Sequence, residues 1–267
     1  MKDKINELLS KNNYSFYDLT SIMEILRAPG GCPWDREQTH KSIRHNLIEE
    51  TYEAIEAIDT DDNELLCEEL GDVILQVVFH SRMAEDEKAF DINNVIDGIC
   101  KKLIVRHPHV FGDVKADTAN EVLINWDTIK QKQKNRKTTT ESMQGISRAL
   151  PALMRATKIG EKAKKVGFDF PDAKSAAAKV SEELNEVLNA KQDTAAEEIG
   201  DLLFASVNLA RIYGVEPEGA LTQASDKFVA RFSAMEDCIN GEGKSMKDIS
   251  FEEADKIWDK VKKNTCN

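Results

Sequence analysis

The chain lacks the residues and segments that mark a secreted, zinc-binding or membrane-spanning protein. Its 267 residues include five cysteines, an odd number, scattered and without a CxxC pair, which argues against a disulfide framework or a structural zinc site. No apolar run approaches the roughly 18 to 20 residues that cross a bilayer, and the N-terminus shows no signal-peptide core. We therefore expect a cytoplasmic protein that does not associate with membranes.

Basic residues are scarce relative to acidic ones. Lysine and arginine number 36 against 48 aspartates and glutamates, giving a formal charge of −12. Nucleic-acid binding needs clustered basic side chains, so we expect no nucleic-acid partner. The GxxxxGK[ST] and GxGxxG phosphate loops are also missing. An acidic protein can still bind a polyphosphate when metal cations lie between the two.

Strand signals are missing as well, and helical periodicity takes their place. Apolar residues recur at three- and four-residue spacing along nearly the whole chain, and the six prolines fit helix boundaries. The pattern predicts an all-α fold. The predicted helices lie near residues 16–27, 39–58, 62–84, 92–105, 117–132, 150–166, 172–190, 193–213, 217–239 and 250–263.

A polar stretch divides the chain. Residues 130–145, KQKQKNRKTTTESMQG, lose the apolar periodicity and are typical of an exposed connection. We predict two tandem helical-bundle domains, 1–138 and 139–267.

The two predicted domains share an ordered set of four motifs, which indicates an internal duplication. The first half contains EETYE (49–53), EELGD (68–72), KLIVR (102–106) and WDTIK (126–130), and the second contains EELNE (182–186), EEIGD (197–201), KFVAR (227–231) and WDKVK (258–262). Matching positions are 133, 129, 125 and 132 residues apart.

The acidic motifs predict a metal site in each half. Glu50 and Glu53, like Glu69 and Asp72, are three residues apart, so each pair lies on one helix face. A short turn between the two helices predicts a helical hairpin across which the four carboxylates meet. A buried carboxylate must be protonated, paired or bound to a cation, and four that face one another without a cation would repel. Oxygen ligands suit Mg²⁺ or Mn²⁺ rather than zinc. The second-half counterparts are Glu183, Glu186, Glu198 and Asp201.

Other interpretations of these patterns stay open at this point. An EExxE motif is often a solvated face, as in a non-enzymatic helical module that binds a basic partner. A di-iron bundle would need two Glu-x-x-His motifs, and only EQTH at 37–40 fits. The basic pairs suit phosphate binding or an ordinary helix surface, and the two paired tryptophans suit a nucleobase contact or a core anchor.

These motifs, with GGCPWDREQTH (30–40), RHPHVFGD (106–113) and PALMRATKIGEKAKKVGFDFPD (151–172), resemble the MazG family of nucleoside triphosphate pyrophosphohydrolases over nearly the whole chain. The resemblance implies an all-α enzyme with two MazG-like domains that forms a homodimer. It also implies that NTPs and dNTPs of any base are hydrolysed between the α and β phosphates, giving a nucleoside monophosphate and pyrophosphate.

The resemblance further implies roles for individual residues. Mg²⁺ ligands would be Glu183, Glu186, Glu198 and Asp201, with Glu50, Glu53, Glu69 and Asp72 as their first-half counterparts. Lys227 and Arg231 would contact phosphates, Trp258 and Lys262 would lie near the nucleotide, and Glu182 would assist the attacking water. The second half is the usual catalytic one in such proteins, although the first half here keeps all four acids.

Each EExGD motif also places a glycine inside a predicted helix. Gly71 and Gly200 occupy equivalent positions in spite of a helix-interior cost of about 1 kcal/mol relative to alanine. We expect the missing side chain to let a neighbouring helix or the substrate approach the carboxylates.

Overall fold

The computed structural model describes residues 2–116, 118–119, 121–122, 125–126, 129–130 and 138–264. Every regular element in these ranges is helical, and none is a strand, which confirms the all-α prediction. The helices are α1 (Lys2–Leu9), α2 (Phe16–Arg27), α3 (Pro33–Glu37), α4 (Arg44–Asp59), α5 (Asn63–Asp86), α6 (Ile92–Arg106), α7 (Pro108–Phe111), α8 (Thr139–Gln144), α9 (Ala152–Lys164), α10 (Ala173–Asn189), α11 (Ala195–Ile212), α12 (Pro217–Gly241) and α13 (Phe251–Asn264), with a 3-10 turn at Met246–Asp248. Within the described residues, no helix is both long enough and apolar enough to cross a membrane.

Most predicted helices agree with the observed bounds to within about two residues. The short helices α1, α3, α7 and α8 were not predicted, and half of the residues of the helix predicted at 117–132 lie outside the described ranges. Helix α4 begins five residues later than predicted. Thr39 and Ser42 explain this, because each side chain accepts a hydrogen bond from the other's backbone N–H and holds the preceding residues in a turn.

The chain divides into two compact units, Met1–Lys130 and Gln131–Asn267. The predicted domain boundary at 138/139 stays a prediction, since residues 131–137 are outside the described ranges.

In the first unit, α4 and α5 pack against each other as a hairpin. The turn between them passes through Asp61, whose φ is 55°, and the Asp62 side chain then caps α5 by accepting from the N–H groups of Glu64 and Leu65. The core lies toward the far end of α5, where its residues pack against α2 and the residue preceding α4. It comprises Met23, Ile43, Val78, Phe79 and Met83.

In the second unit, α10 and α11 form the equivalent hairpin, and residues 190–194 connect them. Asp172 caps α10 by accepting from the Ser175 N–H. A separate core cluster joins α12 to α13 through Met235, Ile239 and Val261.

A buried polar network fixes α9 and the loop that leads into α10 against α11. The Arg211 guanidinium, on α11, pairs with the Asp169 carboxylate and also donates to Asn208 Oδ1. Asn208 Nδ2 in turn donates to the Phe204 carbonyl. Gly160 of α9 lies directly against this network, and a Cβ at Gly160 would approach Asn208 Oδ1 to 2.6 Å. The network therefore requires glycine at this position.

We predict that Gly160→Ala destabilises the second unit. Asn208 cannot move away without loosening its hydrogen bonds to Arg211 and Phe204, and overpacking of this kind costs about 1–3 kcal/mol. The cost of overpacking equals or exceeds the roughly 1 kcal/mol by which alanine stabilises a helix relative to glycine. Hydrogen exchange of α9 and α11 amides should show faster opening.

Gly200→Ala is the matched control, because a Cβ at Gly200 would meet nothing within 4 Å. It should leave the opening free energy of the same helices unchanged or raise it by up to about 1 kcal/mol. Equal protection in the two variants would contradict the proposed packing role of Gly160.

Candidate active site

Three carboxylates meet across the first hairpin. Glu50 projects from α4, and Glu69 and Asp72 project from α5, so that one carboxylate oxygen of each lies within 4.8 Å of the others. Glu69 is buried, at 9% exposure, and the other two are partly buried. Asp72 is in the interior of α5, nine residues after its first residue, so its position reflects the hairpin contact and not a helix cap.

Burial and repulsion by neighbouring charges raise the pKa of two of these carboxylates, Glu50 and Glu69. Burial raises the pKa of Glu50, and the charges of Asp72, Glu53 and Glu49 raise it further. Burial also raises the pKa of Glu69, together with the charges of Glu53 and Asp72. No ion pair in the described part of the chain compensates Glu50, Glu69 or Asp72. A cation between them would relieve both effects.

The second hairpin repeats the arrangement. Glu183 and Glu186 of α10 and Glu198 of α11 each place a carboxylate oxygen within 4.8 Å of the other two. The pKa of Glu186 is raised, first by the charge of Glu183 and then by burial. Glu183 is only 5% exposed, and its Oε2 is buried with no hydrogen-bond partner among the described residues.

One lysine distinguishes the second cluster from the first. Lys179 Nζ lies 2.7 Å from Glu183 Oε1 and 2.9 Å from Glu182 Oε1, and these two carboxylates raise the pKa of Lys179. In the first hairpin the position that corresponds to Lys179 is Asn46, which carries no charge.

The first cluster has a neutral neighbour instead. Gln76 of α5 donates a long hydrogen bond of 3.4 Å to Glu50 Oε1, and its own Oε1 is buried with no hydrogen-bond partner in the described part of the chain. The equivalent residue in the second half is Ala205. Sequence reasoning missed both Gln76 and Lys179. The i,i+4 spacing of Lys179 and Glu183 was a usable signal, whereas the approach of Gln76 to Glu50 crosses two helices.

The two remaining predicted ligands are less closely placed. Glu53 is exposed and lies outside the three-oxygen group, although its charge raises the pKa of both Glu50 and Glu69. Asp201 is exposed and is not among the three residues whose oxygens converge in the second half. Each hairpin therefore brings together three of its four predicted ligands, and the missing member differs between the halves.

Glu182, the residue predicted to assist water, lies at the edge of the second cluster. It is exposed, pairs with Lys179, and lines an open depression along α10 together with Glu186. Asn185 and Asn189 line the same depression. Glu182 and Glu186 therefore face the same solvent-filled space.

The predicted phosphate-binding residues lie on α12. Lys227 is exposed, and Arg231 is half-buried with its Nε buried and without a hydrogen-bond partner in the described residues. No hydrogen bond or ion pair connects either side chain to the carboxylates in the described residues.

The tryptophans at equivalent positions of the two halves, Trp126 and Trp258, have different surroundings. Trp258 packs against Phe228, with ring centroids 5.0 Å apart, and contacts the core cluster of α12 and α13. Lys262, one turn further on, pairs with Asp259 at 2.8 Å. In the first half, Trp126 has the Arg106 guanidinium 5.0 Å and the Lys130 ammonium 4.6 Å from its ring centroid.

The glycines of the EExGD motifs are not required by helix packing within the chain. A Cβ at Gly71 or at Gly200 would meet nothing within 4 Å. The expectation of a close neighbouring helix is therefore wrong for the described part of the chain. The space that a side chain would occupy at each glycine is open in the described part of the chain.

The residues of both clusters fit a hard divalent cation. All donors are carboxylate oxygens, which suit Mg²⁺ or Mn²⁺. The unpartnered Glu183 Oε2 is a buried charged atom that such an ion would satisfy. The fit rests on ligand type, convergence and burial together, since exposed acidic groups alone are common on protein surfaces.

Comparison with known proteins agrees with this chemistry. Residues 38–111, which contain the whole first hairpin, match the family model of the MazG nucleotide pyrophosphohydrolase domain. The chain is 46% identical to the nucleoside triphosphate pyrophosphohydrolase/pyrophosphatase MazG of Thermotoga maritima, covering 92% of this chain and 95% of that protein. It is 44% identical to the nucleoside triphosphate pyrophosphohydrolase of Escherichia coli K12, covering 92% and 96%.

A third relative is longer than this chain. The uncharacterized protein YabN of Bacillus subtilis is 47% identical over 93% of this chain, which corresponds to 52% of YabN. Similarity at this level over nearly the full length, together with the paired carboxylate hairpins, confirms the predicted resemblance: the chain belongs to the MazG family.

Proposed function

We propose that this chain is a Mg²⁺-dependent nucleoside triphosphate pyrophosphohydrolase that cleaves NTPs and dNTPs between the α and β phosphates. The products would be a nucleoside monophosphate and pyrophosphate, with wide tolerance of the base. The enzyme class, a hydrolase of nucleoside triphosphates, is the one named for its Thermotoga maritima and Escherichia coli relatives. Mn²⁺ would serve as the alternative ion.

The observation that carries the proposal is the convergence of three carboxylates at Glu183, whose Oε2 is buried and has no hydrogen-bond partner among the described residues. Lys179 already pairs with Glu183 Oε1, and a divalent ion would satisfy the remaining buried oxygen of this carboxylate. The same convergence in the first hairpin supports a site built for an ion and not a coincidence of acidic residues.

Each predicted residue then has a role in the proposed reaction. Glu183, Glu186 and Glu198 would hold Mg²⁺ in the second half with Asp201 beside them, and Glu50, Glu53, Glu69 and Asp72 would do so in the first. When bound, the ion supplies a Lewis acid and lowers the pKa of a coordinated water.

The other residues act on the substrate and the water. Glu182 would accept a proton from the attacking water or orient it toward the α-phosphorus. Lys227 and Arg231 would neutralise charge on the departing pyrophosphate. Trp258 and Lys262 would lie near the nucleotide. Water replaces pyrophosphate at the α-phosphorus, so no covalent enzyme intermediate is needed.

We infer that the second half is the main catalytic site. Its Arg231 is half-buried and makes no hydrogen bond or ion pair within the described residues, so its guanidinium is not already committed to a protein partner. The corresponding Arg106 of the first half lies over the Trp126 ring. An intact carboxylate group in the first half still favours metal binding there.

The chain also exposes apolar rows that favour the proposed homodimer. On α4, Ile48, Tyr52 and Ile55 recur at helical spacing, as do Leu70, Ile74 and Val77 on α5, and all six are between 39% and 52% exposed. Exposed apolar rows at the α4–α5 hairpin suit association with a second copy.

A non-enzymatic module that binds a basic partner is the other candidate. It predicts exposed carboxylates, and Glu53, Glu182, Glu186 and Asp201 are indeed exposed. Glu69 and Glu183 are buried, however, and a basic protein surface cannot reach them as readily as a small ion can. The products formed from nucleoside triphosphates separate the two candidates.

We predict that the protein, incubated with a panel of NTPs and dNTPs and Mg²⁺, releases pyrophosphate and the nucleoside monophosphate. Removal of the ion with EDTA should abolish turnover, and Mn²⁺ should restore it. Products are identified by anion-exchange chromatography. Release of orthophosphate and a nucleoside diphosphate would overturn the proposed cleavage position, and no turnover with any nucleotide would favour the interaction module.

Matched substitutions would show which half is active. Loss of a residue that only supports a metal ligand lowers activity roughly 10- to 100-fold. Glu198→Gln changes a proposed ligand itself, so it should lower turnover by more than that. Glu69→Gln, at the equivalent position, should have the smaller effect. Steady-state rates for the two variants measure this directly, and a larger loss in Glu69→Gln would place the main site in the first half.

Thermal unfolding without metal is the control for Glu69→Gln. Because burial and the charges of Glu53 and Asp72 raise the pKa of Glu69, its ionised form is destabilised in the folded protein near neutral pH. A neutral amide removes that penalty, so the melting temperature should not fall. A large drop would mean that lost activity reflects unfolding.

A further inference from the structure

The two carboxylate clusters differ in one charge. Lys179 Nζ is 2.7 Å from Glu183 Oε1, so one oxygen of the most buried carboxylate in the second cluster already has a cation beside it. The charge of Lys179 also lowers the pKa of Glu186. The corresponding residue of the first hairpin is Asn46, and the neighbour of Glu50 is the neutral Gln76.

We propose that Lys179 is a built-in counter-cation of the second cluster, with which a divalent ion must compete for Glu183. In the absence of nucleotide, the first cluster therefore binds a divalent ion more tightly than the second. This inference rests on the proposed metal-binding role of the two clusters and adds a difference between them.

The size of the effect follows from the charges. The Lys179 ammonium repels a divalent ion in the second cluster, and the ion disrupts the pair between Lys179 and Glu183. The Lys179 side chain in this pair is 37% exposed. Loss of this pair and repulsion by the ammonium both weaken binding of the ion. The ion should therefore bind several-fold more weakly than in a cluster without the lysine.

Weak binding by the empty second cluster is compatible with catalysis there. Nucleoside triphosphates in solution carry Mg²⁺ on their phosphates, so the substrate itself can deliver the ion. The first cluster, which pairs with no cation among the described residues, would hold its ion independently of substrate. The two halves would thus respond differently to the concentration of free divalent ion.

The test measures Mn²⁺ binding to the full chain without nucleotide, using the electron paramagnetic resonance signal of free Mn²⁺. Each cluster is examined with the other one disabled. Glu69→Gln with Asp72→Asn disables the first cluster, and Glu186→Gln with Glu198→Gln disables the second. With the first cluster disabled, Lys179→Met should lower the Kd of the second by about three- to tenfold. With the second cluster disabled, Asn46→Lys should raise the Kd of the first by a similar factor.

Two controls isolate the charge at this position. Lys174→Met removes an exposed lysine from the first turn of α10 and should leave the Kd unchanged. Lys179→Arg keeps the charge and should keep the weak binding. Circular dichroism confirms that each variant is folded, and Lys179→Gln replaces Lys179→Met if the latter is not.

The outcomes separate this inference from the proposed function. If both clusters bind Mn²⁺ but Lys179→Met leaves the Kd of the second unchanged, the counter-cation role is wrong and the metal sites stand. If neither cluster binds Mn²⁺ in any variant, the metal sites are wrong and the inference is overturned with them.

Discussion

Carboxylates brought together between two packed helices are the constraint on which the rest of this structure depends. In water, like-charged side chains at this distance repel only weakly, but between α4 and α5 or between α10 and α11 they lose part of their hydration. The hairpin must therefore be stabilised elsewhere. In the first unit the apolar contacts lie further along α5, where Val78, Phe79 and Met83 join the core. That packing and the buried Ala54 and Ala57 of α4 hold the carboxylate end in place, together with the long hydrogen bond from Gln76 to Glu50.

The second unit solves the same problem with a different set of contacts. Lys179 compensates part of the charge within the cluster itself. The Arg211–Asp169 pair and Asn208 hold the loop before α10 against α11, and Gly160 makes room for them. One duplicated sequence pattern has thus acquired two electrostatic environments.

Much of the fold and of the site could be predicted from local patterns. Apolar periodicity and proline positions predicted the long helices, because those signals act within a few turns of one helix. The i,i+3 spacing of Glu183 and Glu186 predicted correctly that both side chains lie on one face. The same spacing could not reveal that Asp201 stays exposed, since that depends on how far α11 is rotated relative to α10. Nor could it distinguish the packing-restricted Gly160 from the open Gly200.

The sequence by itself determined the helical class, the duplication, the family and the set of acidic residues, because each can be recognised from residue types and their spacing along the chain. Only the tertiary structure decided which three carboxylates of each four converge, which oxygen is left without a partner, and which cluster contains a lysine. These properties arise where two helices approach each other. Distances across that contact depend on the rotation and depth of packing of both helices, and a linear pattern does not specify either.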